Sequence, residues 1–116
     1  MRESRENREQ NRVARPFTMS VAFREKGPWP TWSLVTARDL SASGTTFSCE
    51  QIFTQGDLLI FSIQFMDRLI ECEGRVVRST PRPGTLLVEV AARFEELAMS
   101  DRDYIARYCQ RLRRES

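Results

Sequence analysis

Residues 58–79, LLIFSIQFMDRLIECEGRVVRS, carry the clearest structural signal in this chain of 116 residues. The apolar run 58–65 predicts a well-buried strand, and residues 66–68 predict a turn. Residues 69–79 predict a second strand, with Gly74 as the expected position of a β-bulge, because an isolated glycine inside a strand pattern is typical of one. The stretch therefore predicts two consecutive strands joined by a tight turn.

Strand and turn signals continue to alternate on both sides of this stretch. Downstream, the two prolines and the glycine of TPRPG (80–84) predict a turn, and TLLVEVAARF (85–94) predicts another strand. Upstream, apolar residues alternate between positions 17 and 23, which predicts a strand with one buried face. The remaining strands are predicted at about 32–38 and 45–49.

A helix is predicted after the last strand, at about residues 100–114. Ser100 and Asp103 are spaced as an N-terminal cap, and acidic side chains suit the positive end of the helix dipole. Apolar residues at helical spacing predict one buried face, made of Ile105, Tyr108, Cys109 and Leu112.

Six short strands followed by one helix indicate a mainly all-β fold, a six-stranded antiparallel β-barrel with a C-terminal α-helix. The first residues are too polar to form a core, so residues 1–14 are predicted to be a flexible N-terminal arm. Residues 15–116 are predicted to form the barrel and its helix. Trp29 and Trp32, around the proline-rich loop before the second strand, are expected to pack as a lid over a barrel end.

Composition excludes several kinds of chemistry. The chain contains no histidine, which removes Ser–His and Cys–His nucleophiles and histidine-containing metal sites. Cys49, Cys72 and Cys109 form no C-x-x-C pair, so we expect free thiols in a reducing cytoplasm. No apolar run has membrane length, and we predict a cytoplasmic protein that is not an enzyme, with no metal, no cofactor and no membrane insertion.

Arginine dominates the basic residues. Of 18 basic residues only Lys26 is a lysine, which leaves 17 arginines at a net charge of +2. Guanidinium groups bind phosphates and guanine edges bidentately and stack on aromatic rings, which ammonium groups do not do. A high genomic GC content would produce the same bias, so composition alone leaves both explanations open.

Two short motifs suggest the halves of a binding site. Arg8 and Arg12 have the spacing R-x-x-x-R within the arm, and Asp39, Ser41 and Gly44 have the spacing D-x-S-x-x-G. The arginine spacing recurs in RSTPR and RYCQR and means little alone, whereas the second motif is rare by composition. In a meander the end of strand two returns near the start of strand one, so both motifs are expected at the same rim.

The second motif has two interpretations. In a plain turn, Asp39 and Ser41 would bond their own backbone and Gly44 would supply a positive φ. In a guanine site, an arginine would bind the O6 and N7 acceptors and Asp39 the donors on the adjacent edge. Ser41 would then donate to a phosphate oxygen, and a positive φ at Gly44 would bring N–H groups close to the ligand.

The chain resembles the PilZ domain family from about residue 8 to the last helix. The resemblance is carried by REQNR (8–12), DLSASG (39–44), EGRVVRS (73–79) and VAARFEEL (90–97). It implies a six-stranded barrel with a C-terminal helix and binding of the bacterial second messenger cyclic di-GMP. It also implies site roles for Arg8, Arg12, Asp39, Ser41 and Gly44, with Ser43, Arg75 and Arg78 as further candidates.

Three functions remain open from the sequence. The first is a cyclic di-GMP receptor whose arm folds over the barrel rim when ligand binds and which signals to a partner protein. The second is a PilZ-like adaptor in pilus assembly or motility that binds no nucleotide. The third is a weak single-stranded nucleic-acid binder, whose affinity would fall steeply with salt and ignore base identity. The intact motifs favour the receptor.

Overall fold

A computed structural model describes residues 17–24 and 30–115, and in this part of the chain six antiparallel strands close into a barrel. The predicted fold class is therefore confirmed. The proposed arm, residues 1–14, and Trp29 lie outside the described residues, so the domain boundary stays a prediction. The elements are β1 Phe17–Phe23, β2 Ser33–Leu40, β3 Gly44–Cys49, β4 Leu58–Gln64, β5 Leu69–Pro81, β6 Val88–Glu95 and the helix α1 Met99–Glu115.

The barrel consists of two three-stranded meanders. Around the barrel the strand order is β1, β2, β3, β6, β5, β4, so β3–β6 and β1–β4 join the two meanders. At the start of β1, Phe17 pairs with Ala37 of β2. The first strand therefore begins at the rim where β2 ends, as a meander requires.

Alternating apolar side chains fill the barrel because successive residues of a strand point to opposite faces. Phe47 and Phe61 are completely buried, and their ring centroids lie 5.9 Å apart in an edge-to-face arrangement. Phe53, from the β3–β4 loop, packs against Phe47 at 6.0 Å. Each fully buried phenylalanine stabilises the fold by about 2 kcal/mol, so this aromatic cluster holds the strands around one core.

The helix covers the rim at which β2 and β4 end. Ile105 and Cys109 are completely buried, and the rings of Tyr104 and Tyr108 contact Phe65, just after β4, at centroid distances of 5.2 and 4.7 Å. The predicted buried face of the helix is thus confirmed. Within residues 17–24 and 30–115, no helix has the length and apolar character needed to span a membrane.

All three cysteines are buried free thiols, as expected. Burial raises the pKa of Cys109 to about 11 and that of Cys72 to about 12, because the charged thiolate loses its hydration. Burial likewise raises the pKa of Cys49. At neutral pH these groups remain protonated, so they are poor nucleophiles.

Two local predictions on strands are wrong. Gly74 pairs regularly with Leu59 and Phe94, and the bulge of β5 lies at Val77, where the register shifts between Val76 and Arg78. The glycine is needed for space instead, because a Cβ at Gly74 would lie 2.5 Å from Cε2 of Phe61. In addition, β5 continues through Pro81 and β6 begins only at Val88, so the hairpin loop is shifted to residues 82–87.

Two predictions at element ends are also wrong. The Arg102 N–H donates to the Ala98 carbonyl over 2.9 Å, so the helix begins at Met99 and Ser100 lies inside the first turn rather than capping it. Trp32 is 42% exposed and borders a shallow groove beside Ile60 and Glu73 on the outer wall. It therefore does not close a barrel end.

Candidate functional site

The end of β2 contains a bulge that places two consecutive side chains on the outer wall. Ala37 and Leu40 are both buried, although an unbroken strand would turn residues three apart to opposite faces. The register of β2 against β3 shifts between Ala37 and Asp39, so Arg38 is the extra residue and Asp39 also lies outside. Arg38 forms an ion pair of 2.6 Å with Glu89 of β6. Asp39, the next residue, lies at the rim because β2 ends at Leu40.

Asp39 is held in place by the strand that follows. Its Oδ1 accepts a hydrogen bond of 3.1 Å from the Thr46 N–H. Its carbonyl accepts a bond of 2.7 Å from Oγ1 of Thr45, whose side chain is buried. The carboxylate is therefore oriented before any ligand arrives.

The tip of the bend is closed by its own serines. The Ser41 N–H donates to the Gly44 carbonyl over 2.9 Å, and the Ser43 N–H donates to Ser41 Oγ over 3.2 Å. The hydroxyls of Ser41 and Ser43 lie 2.9 Å apart. Ser41 is only 6% exposed, whereas Ser43 is exposed. Ser41 thus shapes the bend, and Ser43 presents a hydroxyl at its surface.

Gly44 has a different role from the predicted one. The positive-φ glycines in the described residues are Gly56 and Gly84, so the expected positive φ at Gly44 is wrong. A Cβ on Gly44 would lie 2.2 Å from the Ala92 carbonyl oxygen and 3.2 Å from Cα of Arg93. Glycine is required because β6 approaches the backbone of β3 too closely for a side chain.

Two arginines extend the site across the outer wall. Gly44 pairs with Arg93 of β6, and Arg93 pairs with Arg75 of β5. Glu95 binds both cations, with Oε2 at 3.2 Å from Nε of Arg75 and 3.7 Å from Nη2 of Arg93. The Arg93 side chain nevertheless remains 63% exposed. Sequence reasoning named Arg75 and missed Arg93, although the strand alternation around Phe94 would have turned Arg93 outward.

The remaining candidates are Arg78 on β5 and the two arginines of the N-terminal segment. Arg78 pairs with Ala91, Ala91 with Thr46 and Thr46 with Asp39, so three interstrand spacings of about 4.8 Å separate Arg78 from Asp39. Arg75, on the same strand, is also three strands from β2, so neither arginine of β5 lies at Asp39, and Arg93 of β6 is the nearer cation. Arg8 and Arg12 lie outside the described residues, but β1 begins at Phe17 opposite Ala37, two residues before Asp39.

The described side chains of the site can bind a ligand through hydrogen bonds and charge. A carboxylate, an exposed hydroxyl and two guanidinium groups share one rim and the adjoining wall. In the described part of the chain, no group of three His, Cys, Asp or Glu side chains could hold a metal ion. Such a surface suits a ligand that combines hydrogen-bond donors with negative charge.

The sequence profile of the PilZ domain family matches residues 6–111, which is most of the chain. No curated protein sequence matches this chain.

Solved structures share the barrel at low sequence identity. The Bacillus subtilis inhibitor of motility, MotI/DgrA, superposes with a TM-score of 0.76 at 20% identity, covering 90% of this chain and 50% of the other. This chain therefore spans half of the MotI chain. The PilZ domain of YcgR from Escherichia coli, solved with c-di-GMP, gives a TM-score of 0.67 at 14% identity, covering 90% and 89%.

A third similar structure is the PilZ domain of CeSA from a cellulose-synthesizing bacterium. Its TM-score is 0.62 at 12% identity, covering 88% of this chain and 97% of the other. At these identities the likeness establishes a common fold.

Proposed function

Because the chain belongs to the PilZ domain family, we propose that it is a receptor for cyclic di-GMP. In this proposal, Arg8 and Arg12 from the N-terminal segment bind the ligand together with the β2–β3 bend. One observation carries it: the pairing of Phe17 with Ala37 starts β1 at the rim that holds Asp39. The five Cα–Cα steps from Arg12 to Phe17 span up to about 17 Å when extended, which is enough to reach over the bend.

The groups of the bend suit guanine and phosphate in different ways. Asp39 is a hydrogen-bond acceptor, so it suits the N1 and N2 donors of guanine and disfavours phosphate. The guanidinium groups of Arg8 and Arg12 suit O6, N7 and the phosphate oxygens. Ser41 holds the bend in shape through its bonds to Ser43 and Gly44, and Ser43 supplies the exposed hydroxyl.

Arg93 adds positive charge on the wall beside the bend, and Arg75 adds it one strand farther away. Arg75 is bound by Glu95 and also donates from Nη1 to the Gly56 carbonyl over 2.9 Å, so its guanidinium is fixed. Arg93 is more exposed and lies farther from the same carboxylate. We assign to Arg93 a contact with a ligand phosphate and to Arg75 a supporting electrostatic role.

Ligand binding is proposed to order the N-terminal arm. Fixing the backbone costs about 1–2 kcal/mol for each residue ordered, and charge-assisted hydrogen bonds from Arg8 and Arg12 offset this cost. The ordered arm changes the surface at one barrel rim, which a partner protein would recognise. The role is one of binding and signalling in the cytoplasm, not of catalysis.

Calorimetry on two variants tests the site. Arg12→Ala and Asp39→Ala should each weaken cyclic di-GMP binding at least tenfold, because each removes a charge-assisted hydrogen bond of about 1.5–3 kcal/mol. Arg82→Ala is the matched control, since Arg82 is an exposed arginine on the distant β5–β6 hairpin. Thermal unfolding should show that all three variants keep the barrel.

Base identity and salt separate this function from nucleic-acid binding. A guanine site should bind cyclic di-GMP much more tightly than cyclic di-AMP, because adenine lacks the donor pattern that Asp39 accepts. Unchanged affinity in both Arg12→Ala and Asp39→Ala, or equal affinity for the two dinucleotides, would contradict the proposal.

A further inference from the structure

The far end of the barrel carries an apolar groove that plays no part in the proposed ligand site. We call it the hairpin groove: it has a volume of about 810 Å³ and lies between the β3–β4 loop, residues 50–55, and the β5–β6 hairpin, residues 77–88. Ile52 is 78% exposed, Leu86 82% and Val77 42%, and all three line it. Apolar side chains exposed together beside a concave surface are typical of a protein-binding site.

The groove runs along a free strand edge. The ladder between β4 and β5 ends at Leu58 and Arg75, followed by bonds from the Gly56 N–H to the Val76 carbonyl and from the Val76 N–H to the Asp57 carbonyl. Beyond Val76, β5 pairs only with β6 in the described part of the chain, as far as Pro81. Such an edge is a template for an added strand.

The free edge is short because a feature of β5 limits it at each end. The bulge at Val77 ends its regular geometry on one side, and Pro81, which has no N–H, ends it on the other. About four residues, or about 13 Å of strand, remain for pairing. An edge of this length favours a defined extended segment and disfavours indiscriminate sheet growth.

Charge at the groove selects between occupants. Arg78 lines the groove beside the free edge, and Arg82 is exposed on the same hairpin; the acidic side chain in the lining is Glu50. A second copy of this chain paired edge to edge by a two-fold axis would bring these arginines of both copies together, which is unfavourable. A partner with a carboxylate opposite Arg78 would complement the surface.

We propose that the hairpin groove binds an extended segment of a partner protein, which adds as a strand to the free edge of β5. Its apolar side chains, at alternate positions, would contact Ile52 and Leu86, and an acidic residue would pair with Arg78. This site lies at the opposite ends of β3 and β6 from the bend, and it stands whether or not the chain binds cyclic di-GMP.

A peptide selection tests the proposal without nucleotide. Random nonapeptides displayed on phage are selected against the full chain, and the enriched peptides should alternate apolar and polar residues and contain an acid. The affinity of a selected peptide should fall at least tenfold for Ile52→Ser and for Leu86→Ser. Met66→Ser is the matched control, because Met66 is 98% exposed on the β4–β5 turn at the other rim, and it should leave the affinity unchanged.

Methylated peptides distinguish a paired strand from another mode of binding. N-methylation of alternate peptide amides should weaken binding at least tenfold for one of the two alternating sets of positions. The bound peptide should also slow amide exchange at Ser79, whose N–H faces away from β6 because the Arg82 N–H, three residues on, bonds the Leu87 carbonyl on the β6 side. Absence of enrichment, or selected peptides that bind Leu86→Ser as tightly as the parent, would overturn the proposal. So would unchanged binding of both methylated forms, or a dimer of the chain in sedimentation that Leu86→Ser dissociates.

Discussion

The barrel contains two bulged strands, and they lead to surfaces of opposite character. In β2 the bulge at Arg38 leads to a bend whose polar groups are bonded, as the contacts of Asp39, Ser41 and Thr45 illustrate. In β5 the bulge at Val77 leads to a hairpin with exposed apolar side chains and a free edge. A β-bulge thus precedes both a polar bend that is already hydrogen-bonded and an apolar surface whose strand edge pairs with no other strand in the described part of the chain.

The two surfaces differ in whether their polar groups already have hydrogen-bond partners within the described chain. The bend is ordered by its own hydrogen bonds, so a ligand bound there as proposed would meet groups that are already oriented, at a lower entropic cost. The hairpin edge offers backbone groups that no other described strand of the chain pairs with. Substitutions that loosen the bend should therefore cost more stability than equivalent substitutions in the hairpin.

The largest effect is expected at Gly44. Gly44→Val should lower the free energy of unfolding by about 3 kcal/mol, because its Cβ would meet the Ala92 carbonyl oxygen at 2.2 Å. Gly84→Ala is the hairpin counterpart: its Cβ meets nothing within 4 Å, but its φ of +77° disfavours a side chain, at a cost of about 1 kcal/mol. Urea unfolding measures both, and equal costs would remove the proposed difference between the two ends.

A smaller effect is expected from removing one hydroxyl at each end. Thr45→Val should cost about 1.5 kcal/mol, because the buried hydroxyl donates to the Asp39 carbonyl. In the hairpin, Thr85 makes a similar bond of 3.1 Å to the Arg82 carbonyl but is exposed, so Thr85→Val should change stability by less than about 0.5 kcal/mol. If chemical denaturation gave the reverse order, the bend would not be the more tightly held surface.

The smallest effect is expected where the helix meets the β4–β5 turn. The hydroxyl of Tyr104 donates to the Asp67 carboxylate, which lowers the pKa of Asp67 and raises the pKa of Tyr104. This contribution is present at neutral pH. It is lost as the pH falls through the lowered pKa of Asp67, and again as the pH rises through the raised pKa of Tyr104.

Asp67→Asn should therefore lower the Tm by only about 1 °C at pH 7, because the pair is solvent-exposed. Thermal unfolding of parent and variant should converge as the pH is lowered below the ordinary value of 3.8 for a carboxyl group. A difference that persists in acid would mean that this hydrogen bond is not its origin.

The architecture was predictable because it depends on local patterns. Alternating apolar residues predicted strands with one buried face, and the helical spacing of Ile105 and Cys109 predicted the face that packs against the barrel. The position of DLSASG between two strands of a meander likewise predicted that the start of β1 lies near this bend, as the Phe17–Ala37 pair confirms.

The errors at the two glycines arose because a distant residue determines the local structure. The need for glycine at position 44 comes from the Ala92 carbonyl, and the need at position 74 comes from the Phe61 ring, neither of which is visible in the neighbouring sequence. The hairpin groove was not foreseen either. Ile52 and Leu86 lie far apart in the sequence, and Leu86 was predicted to be in a strand; only the path of the two loops brings them to the hairpin groove.

The thiol of Cys109 donates to the carbonyl of Leu40 over 3.4 Å, immediately before Ser41. Through this contact a helix of 17 residues, about 25 Å long, is bonded directly to the last residue of β2. The bend and the helix therefore form one packed unit, so a substitution at Cys109 would disturb the backbone beside Ser41 as well as the helix.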